Sequence, residues 1–271
     1  MMDYEEYWGL KEKPFENTSD PRFLYMSSQH EEALARLMYT VYQNKGISVL
    51  TGVFGCGKTV IAEKILETIN YDAYEIAMIV NPQLSAIELL RDIIYNLGYK
   101  ETVIKEKDEV VHKLVEILNN NYRNGKRSVI IIDEAHLIQE LQIFEELRVL
   151  LNYQTEHNFL VTLLLLGQPE LKDKISNLKQ FTQRVAIHCH LTPLTRGDVA
   201  NYINHRLEVA GSTRRIFEDD SYDHIYSQTG GIPRRINQLC DMTLFTAYSE
   251  GIQSIGAPEI DKITKSLGLQ K

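Results

Sequence analysis

The feature that most constrains the fold is a glycine-rich loop between an apolar run and a helical pattern. Residues 52–59 read GVFGCGKT, which matches G-x-x-x-x-G-K-[ST] in full. The run Ile47–Gly52 predicts a buried strand, and Thr59–Ile69 predicts a helix. Glycines let such a loop wrap its backbone N–H groups around phosphates at a helix N-terminus. The sequence therefore predicts a phosphate-binding strand–loop–helix unit, with a chance glycine-rich turn as the alternative.

The residues expected to bind a nucleotide lie along this loop and the position after it. They are Gly52, Val53, Phe54, Gly55, Cys56, Gly57, Lys58, Thr59 and Val60. Lys58 would reach the β- and γ-phosphates, and the Thr59 hydroxyl would bind Mg²⁺. We therefore expect ATP or ADP with Mg²⁺ as the cofactors.

An acidic pair follows the most strand-like stretch of the chain, Ser128–Ile132. Asp133 would hold the magnesium ion, and Glu134 would orient and activate the attacking water. In the alternative interpretation both carboxylates cap the following helix. Together with the phosphate loop, the pair favours hydrolysis.

Strands alternate with helical patterns through the first two thirds of the chain. The further apolar runs are Tyr74–Val80, Leu160–Leu166 and Val185–Leu191. This alternation predicts an α/β fold with a parallel sheet, and after Pro193 only helical patterns follow. We predict a nucleotide-binding α/β domain over residues 1–192, with an irregular segment at 1–26, and a helical domain over 193–271.

Charge and composition limit the classes of partner that the chain is expected to bind. The formal net charge is −8, which disfavours nucleic-acid binding and adhesion to anionic membranes. The apolar runs are far shorter than the ~20 residues that span a bilayer, and the start has no signal-peptide pattern. The three cysteines, Cys56, Cys189 and Cys240, lack metal-ligand spacing. A cytoplasmic protein without direct membrane insertion is expected, with Cys56 as a small residue of the loop.

Four motifs resemble those of AAA+ ATPases and occur in the same order: GVFGCGKT, IIIDEAH, LLLLGQPEL and GGIPRRIN. The opening, YWGLKEKPFENTSDPRFLYMSSQHEEAL, resembles the start of the ExeA-type (GspA-type) secretion ATPases. Transposition ATPases of the TniB and TnsC kind are close relatives of these. The resemblance covers nearly the whole chain and implies a P-loop NTPase core with a C-terminal helical lid.

The resemblance assigns roles to two polar side chains after strands. Gln168 matches the sensor-1 position, which feels the γ-phosphate; the alternative is a Gln-Pro turn without a role. Asn81 would hold Glu134 back until a partner binds, or it is a plain Asn-Pro strand terminator.

The resemblance also assigns roles to arginines. Arg184 matches the arginine finger, which enters the site of a neighbouring subunit and stabilises charge on the transferred phosphoryl group. Arg234 matches sensor 2, although Arg235 beside it is an alternative. For these arginines a surface ion pair is the competing interpretation.

A finger supplied in trans implies a nucleotide-dependent oligomer. The first functional hypothesis is an ExeA-like ATPase that supports assembly of a secretion or type IV pilus-like machine. Relatives carry a transmembrane helix and a peptidoglycan-binding domain after the ATPase, whereas this sequence stops at Lys271. We therefore expect a membrane-bound partner protein and a location peripheral to the inner membrane.

Two other hypotheses remain open. One is a DNA-associated regulator of the TniB/TnsC type, for which Lys172, Lys174 and Lys179 are the nearest basic cluster or else a solvated helical face. The other is a nucleotide-gated scaffold that hardly turns over. The histidines at 136, 188 and 190 are interpreted as solvated or packed residues.

Overall fold

The structure is a computed structural model that describes residues 4–18, 20–100, 106–155 and 158–266. The strands of these residues are β1 (Ile47–Gly52), β2 (Tyr74–Ile79), β3 (Arg127–Ile132), β4 (Val161–Gly167) and β5 (Val185–Leu191). Each predicted strand is present, with bounds that agree to within about a residue.

The five strands form one parallel sheet in the order β2-β3-β4-β1-β5. Strands β1 and β4 are buried along their whole length, as expected for a sheet covered on both faces. The predicted parallel α/β class is confirmed. Because parallel strands end at the same edge, the segments after β1, β3 and β4 all start at the carboxyl edge of the sheet.

The helices of the described residues are α1 (Tyr4–Trp8), α2 (Ser28–Tyr42), α3 (Lys58–Thr68), α4 (Ala86–Asn96), α5 (Lys107–Arg123), α6 (Leu141–Leu150), α7 (Glu170–Ser176), α8 (Lys179–Thr182), α9 (Arg196–Val209), α10 (Asp219–Thr229), α11 (Pro233–Glu250) and α12 (Ala257–Ser266). Helices α4, α5 and α6 pack through Leu89, Leu114 and Phe144 in the core on one sheet face. Helix α2 lies on the other face, where Thr40 Oγ1 is 2.5 Å from Ser48 Oγ. None of these helices is long and apolar enough to cross a bilayer.

Two compact units make up the chain. The sheet unit comprises His30–Phe54 and Ile61–Leu191, and the helical unit comprises Met1–Gln29, Gly55–Val60 and Thr192–Lys271. The helical unit has its own apolar core, which includes Trp8, Phe15 and Phe217.

The N-terminal segment, for which an irregular structure is predicted, contains helix α1 and a 3₁₀ turn at Pro21–Phe23. The indole of Trp8 donates to the carbonyl oxygen of Leu244 at 3.0 Å. The buried Arg206 guanidinium donates to the carbonyl oxygen of Pro14 at 2.6 Å. The segment thus belongs to the helical unit, whereas the sequence placed it in the α/β domain. A five-residue helix has too little local stability to be read from periodicity and depends on this packing.

Candidate active site

The glycine-rich loop connects β1 directly to α3, and its backbone explains its glycines. A Cβ atom on Gly52 would lie 2.9 Å from the carbonyl oxygen of Leu191. Gly55 and Gly57 have φ values of +82° and +97°, in the left-handed region that side chains disfavour. The close approach and the positive φ values therefore require glycine at these three positions.

The loop ends where α3 begins, at Lys58 and Thr59. The N–H groups and the dipole of a helix N-terminus favour an anion at that position. Lys58 is 5% exposed, and Cys56 is buried. Burial raises the pKa of the Cys56 thiol, so the residue is a protonated, small packed side chain.

The acidic pair forms a tight turn after β3. The Asp133 amide donates to the carbonyl oxygen of Ile79 at 2.8 Å, and Asp133 Oδ1 accepts from the Glu134 amide at 2.8 Å. Glu134 has φ +49°, and Asn44 is the other described non-glycine residue with positive φ. Such a conformation costs about 1–3 kcal/mol and is typical of functional sites.

The capping interpretation of the pair does not hold for Glu134. Although it precedes the 3₁₀ turn Ala135–Leu137, its side chain makes no capping hydrogen bond in the described structure. Instead, its carboxylate Oε2 lies 3.2 Å from Nδ1 of His136. The carboxylate is therefore held beside an imidazole ring.

His136 connects the ends of β3 and β4. Its Nε2 lies 3.0 Å from the side-chain amide nitrogen of Gln168, the residue that follows β4. The side chains of Glu134, His136 and Gln168 therefore form a continuous polar chain across two strands of the sheet. Sequence reasoning missed His136; the signal available was its position two residues after Glu134 in IIIDEAH.

Lys174 supports this turn from α7. Its Nζ donates to the carbonyl oxygens of His136 and Ile138, at 2.5 and 2.7 Å. Lys174 is therefore bonded within the fold and does not belong to a solvated helical face. Lys172 and Lys179 are exposed, and the basic cluster considered for DNA binding stays a prediction.

Asn81 follows β2, whose neighbour in the sheet is β3, and its Oδ1 accepts from the Gln83 amide at 3.3 Å. This turn is what a strand terminator requires. A restraining role toward Glu134 stays a prediction.

The two predicted arginine roles fall in different places. Arg184 immediately precedes β5, at the amino edge of the sheet, and its Nη2 donates to Asn152 Oδ1 at 3.1 Å. Within the helical unit, the Arg234 amide donates to the Gly55 carbonyl oxygen at 3.4 Å. The Arg235 amide donates to Ile232 instead. Arg234 is thus the residue whose backbone contacts the glycine-rich loop.

Comparisons with known proteins indicate the family of this chain. The family described as an AAA domain matches residues 41–175, which include the loop and the acidic pair. General secretion pathway protein A of Aeromonas hydrophila is 37% identical over 261 residues, covering 93% of this chain. The chain spans about half the length of that relative, 46%.

Solved structures share the fold. The ORC2 protein of Aeropyrum pernix aligns with a TM-score of 0.72 and 17% identity, covering 94% of this chain and 71% of that chain. Cdc6p from Pyrobaculum aerophilum aligns with a TM-score of 0.70 and 16% identity, covering 91% and 70% respectively. The matched domain and the identity along nearly the whole chain show that the chain belongs to the AAA+ family of the general secretion pathway protein A type.

Proposed function

We propose that this chain binds MgATP at the carboxyl edge of its sheet and hydrolyses it to drive assembly of a secretion or type IV pilus-like envelope machine. The observation that carries the proposal is the position of Glu134. Glu134 is the second residue after β3, and β4 alone separates β3 from the strand that leads into the glycine-rich loop.

The donor set fits magnesium that arrives with ATP. Thr59 supplies a hydroxyl and Asp133 a carboxylate, both hard oxygen ligands. Among the described residues, no group of three or more His, Cys, Asp or Glu side chains could hold a metal by itself. Mg²⁺ suits such a sparse site because it keeps water and phosphate ligands, and when bound it neutralises phosphate charge.

The remaining residues of the proposed site bind the nucleotide and orient the reacting groups. The loop amides and Lys58 hold the phosphates, and Arg234 approaches them from the helical unit as sensor 2. Glu134 takes a proton from the attacking water, Gln168 senses the γ-phosphate, and Asn81 holds Glu134 back until a partner binds. The backbone bond between Arg234 and Gly55 supports Arg234 over Arg235 for the sensor role.

The position of Arg184 supports assembly into an oligomer. Arg184 lies at the edge of the sheet opposite to the end of β1, which favours a role in the site of a neighbouring copy. ATP binding then favours an oligomer, and hydrolysis dissociates or switches it. The similarity to general secretion pathway protein A supports a cytoplasmic location at the inner membrane through a membrane-bound partner.

The first test measures ATP turnover and light scattering against protein concentration, for wild type and Arg184→Ala. We expect specific activity and mass to rise together in ATP, and Arg184→Ala to lose activity while still binding ATP. If activity per subunit does not change with concentration and Arg184→Ala is as active as wild type, Arg184 is not an arginine finger for a neighbouring subunit.

The biological role needs a second test. Deletion of the chain in its host should abolish secretion or piliation, and wild type but not Glu134→Gln should restore it. ATP-dependent retention on duplex DNA that weakens steeply with salt, with secretion unaffected, would favour the transposition type instead.

A further inference from the structure

We infer that His136 is a positioning residue that links Gln168 to Glu134, so that the nucleotide state felt by Gln168 sets the orientation of the catalytic carboxylate. This inference deepens the proposed function. It rests on Glu134 as the water-activating residue and on Gln168 as the residue beside the γ-phosphate.

Gln168 contacts both nitrogens of the His136 ring. Its side-chain amide nitrogen lies 3.0 Å from Nε2, and its backbone amide donates to Nδ1 at 3.4 Å. The same Nδ1 lies 3.2 Å from Glu134 Oε2. The ring therefore lies between the residue that follows β4 and the carboxylate of Glu134.

The contact with Glu134 is close but not aligned. Glu134 Oε2 is enclosed by protein and, among the described residues, has no hydrogen bond of regular geometry. An enclosed carboxylate oxygen without such a bond is costly. Catalytic hydrogen bonds are often misaligned without substrate and tighten in the substrate complex. Nδ1 of His136 cannot accept from the Gln168 amide and donate to Glu134 at the same time, so a change at Gln168 alters the contact with the carboxylate.

The backbone around His136 is fixed by contacts with α7 and with the end of β4. Lys174 bonds the carbonyl oxygen of His136. At the end of β4, a Cβ atom on Gly167 would lie 3.1 Å from the His136 amide nitrogen. The turn after β3 therefore packs directly on the segment that carries Gln168. The His136 side chain itself is 11% exposed, so water does not replace its partners.

The test is a double-mutant cycle with His136→Ala, Gln168→Ala and both together. Readouts are kcat, KM, the Kd of a fluorescent ATP analogue and the melting temperature. We expect each single variant to lower kcat by about 10–100-fold with the Kd for ATP changed less than about twofold. The kcat of the double variant should be little lower than that of the less active single variant, because both changes break the same link.

Three further variants complete the test. His136→Gln should recover most of kcat, since its amide can accept from Gln168 and donate to Glu134. His136→Asn is too short to span both partners, and it replaces the alanine variant if that variant does not fold. His112→Ala, at an exposed site of α5, is the matched control and should behave as wild type.

The outcomes separate the two proposals. A normal kcat in His136→Ala, or losses that multiply in the double variant, would overturn the role of His136 while Glu134→Gln stays inactive. If wild type does not turn over ATP, or if Glu134→Gln is as active as wild type, the proposed function fails and this inference fails with it.

Discussion

The two edges of the sheet are built in different ways. At the carboxyl edge, the side chains of Glu134, His136 and Gln168 contact one another. At the amino edge, Arg184 is partly exposed and bonds the side chain of Asn152. Strand β5 has seven residues and runs from one edge to the other, so the two edges lie about 20 Å apart. One edge is organised within a single chain, whereas the other presents its arginine outward.

The largest expected effect tests this division directly. Arg184→Ala should lower ATP turnover by about 10³–10⁵-fold, the range known for arginine fingers, with nucleotide binding retained. A mixture of Arg184→Ala with Glu134→Gln should regain activity. The first variant supplies an intact Glu134, and the second supplies an intact Arg184. With random mixing about a quarter of the sites combine an intact carboxylate with an intact finger.

The measurement is turnover of the mixture against the same total concentration of each variant alone. Recovery shows that the two edges belong to one shared site. A mixture no more active than the mean of its components would mean that Arg184 acts within its own chain or has no part in hydrolysis.

The next effect concerns the carboxyl edge alone. Glu134→Gln keeps the shape of the side chain but removes its capacity to accept a proton, so turnover should fall by about 10²–10⁴-fold. Binding of a fluorescent ATP analogue should be unchanged. Glu116→Gln, at an exposed site of α5, is the matched control. An equal, small change in both variants would favour the slow nucleotide-gated scaffold.

A third change measures how tightly the carboxyl edge is packed. Gly52→Ala places a methyl group against the carbonyl oxygen of Leu191, so the free energy of unfolding should fall by about 1–3 kcal/mol. Gly197→Ala, in an exposed turn of α9 with its Cβ in open contact, should be neutral or stabilising by up to about 1 kcal/mol. Urea unfolding of both variants gives the comparison, and equal values would show that the strand end tolerates a side chain.

The smallest effect belongs to the amino edge. Asn152→Ala removes the exposed hydrogen bond to Arg184, so the free energy of unfolding should change by less than about 1 kcal/mol. ATP turnover should stay within about threefold of wild type, since Arg184 keeps its charge and reach. A loss as large as that of Arg184→Ala would mean that Asn152 itself positions the finger.

Much of the fold was predictable from local patterns. The buried strands β1, β3 and β4 were visible as apolar runs between glycines and polar residues, because a strand covered on both faces tolerates little else. The short helix α1 was not visible, since its stability comes from Trp8 and its partners far along the chain.

The candidate site was predictable where its residues are contiguous. The glycine-rich loop and the acidic pair follow from fixed spacing, because backbone geometry at a phosphate allows few alternatives. Lys174 was misread as solvated, and the polar contacts of the packed His136 were not foreseen. Lysine and histidine on short helical segments are usually solvated, and nothing local shows that a carbonyl or a carboxylate faces them.

The sequence by itself determined which residue types the candidate site contains: a glycine-rich loop, a hydroxyl and a carboxylate that could bind Mg²⁺, and a second carboxylate after a buried strand. Only the tertiary structure decided which side chains share an edge. The strand order β2-β3-β4-β1-β5 brings His136 to Gln168 and puts Arg184 at the opposite edge. Those relations join residues 30 or more positions apart, and sheet packing rather than local preference sets them.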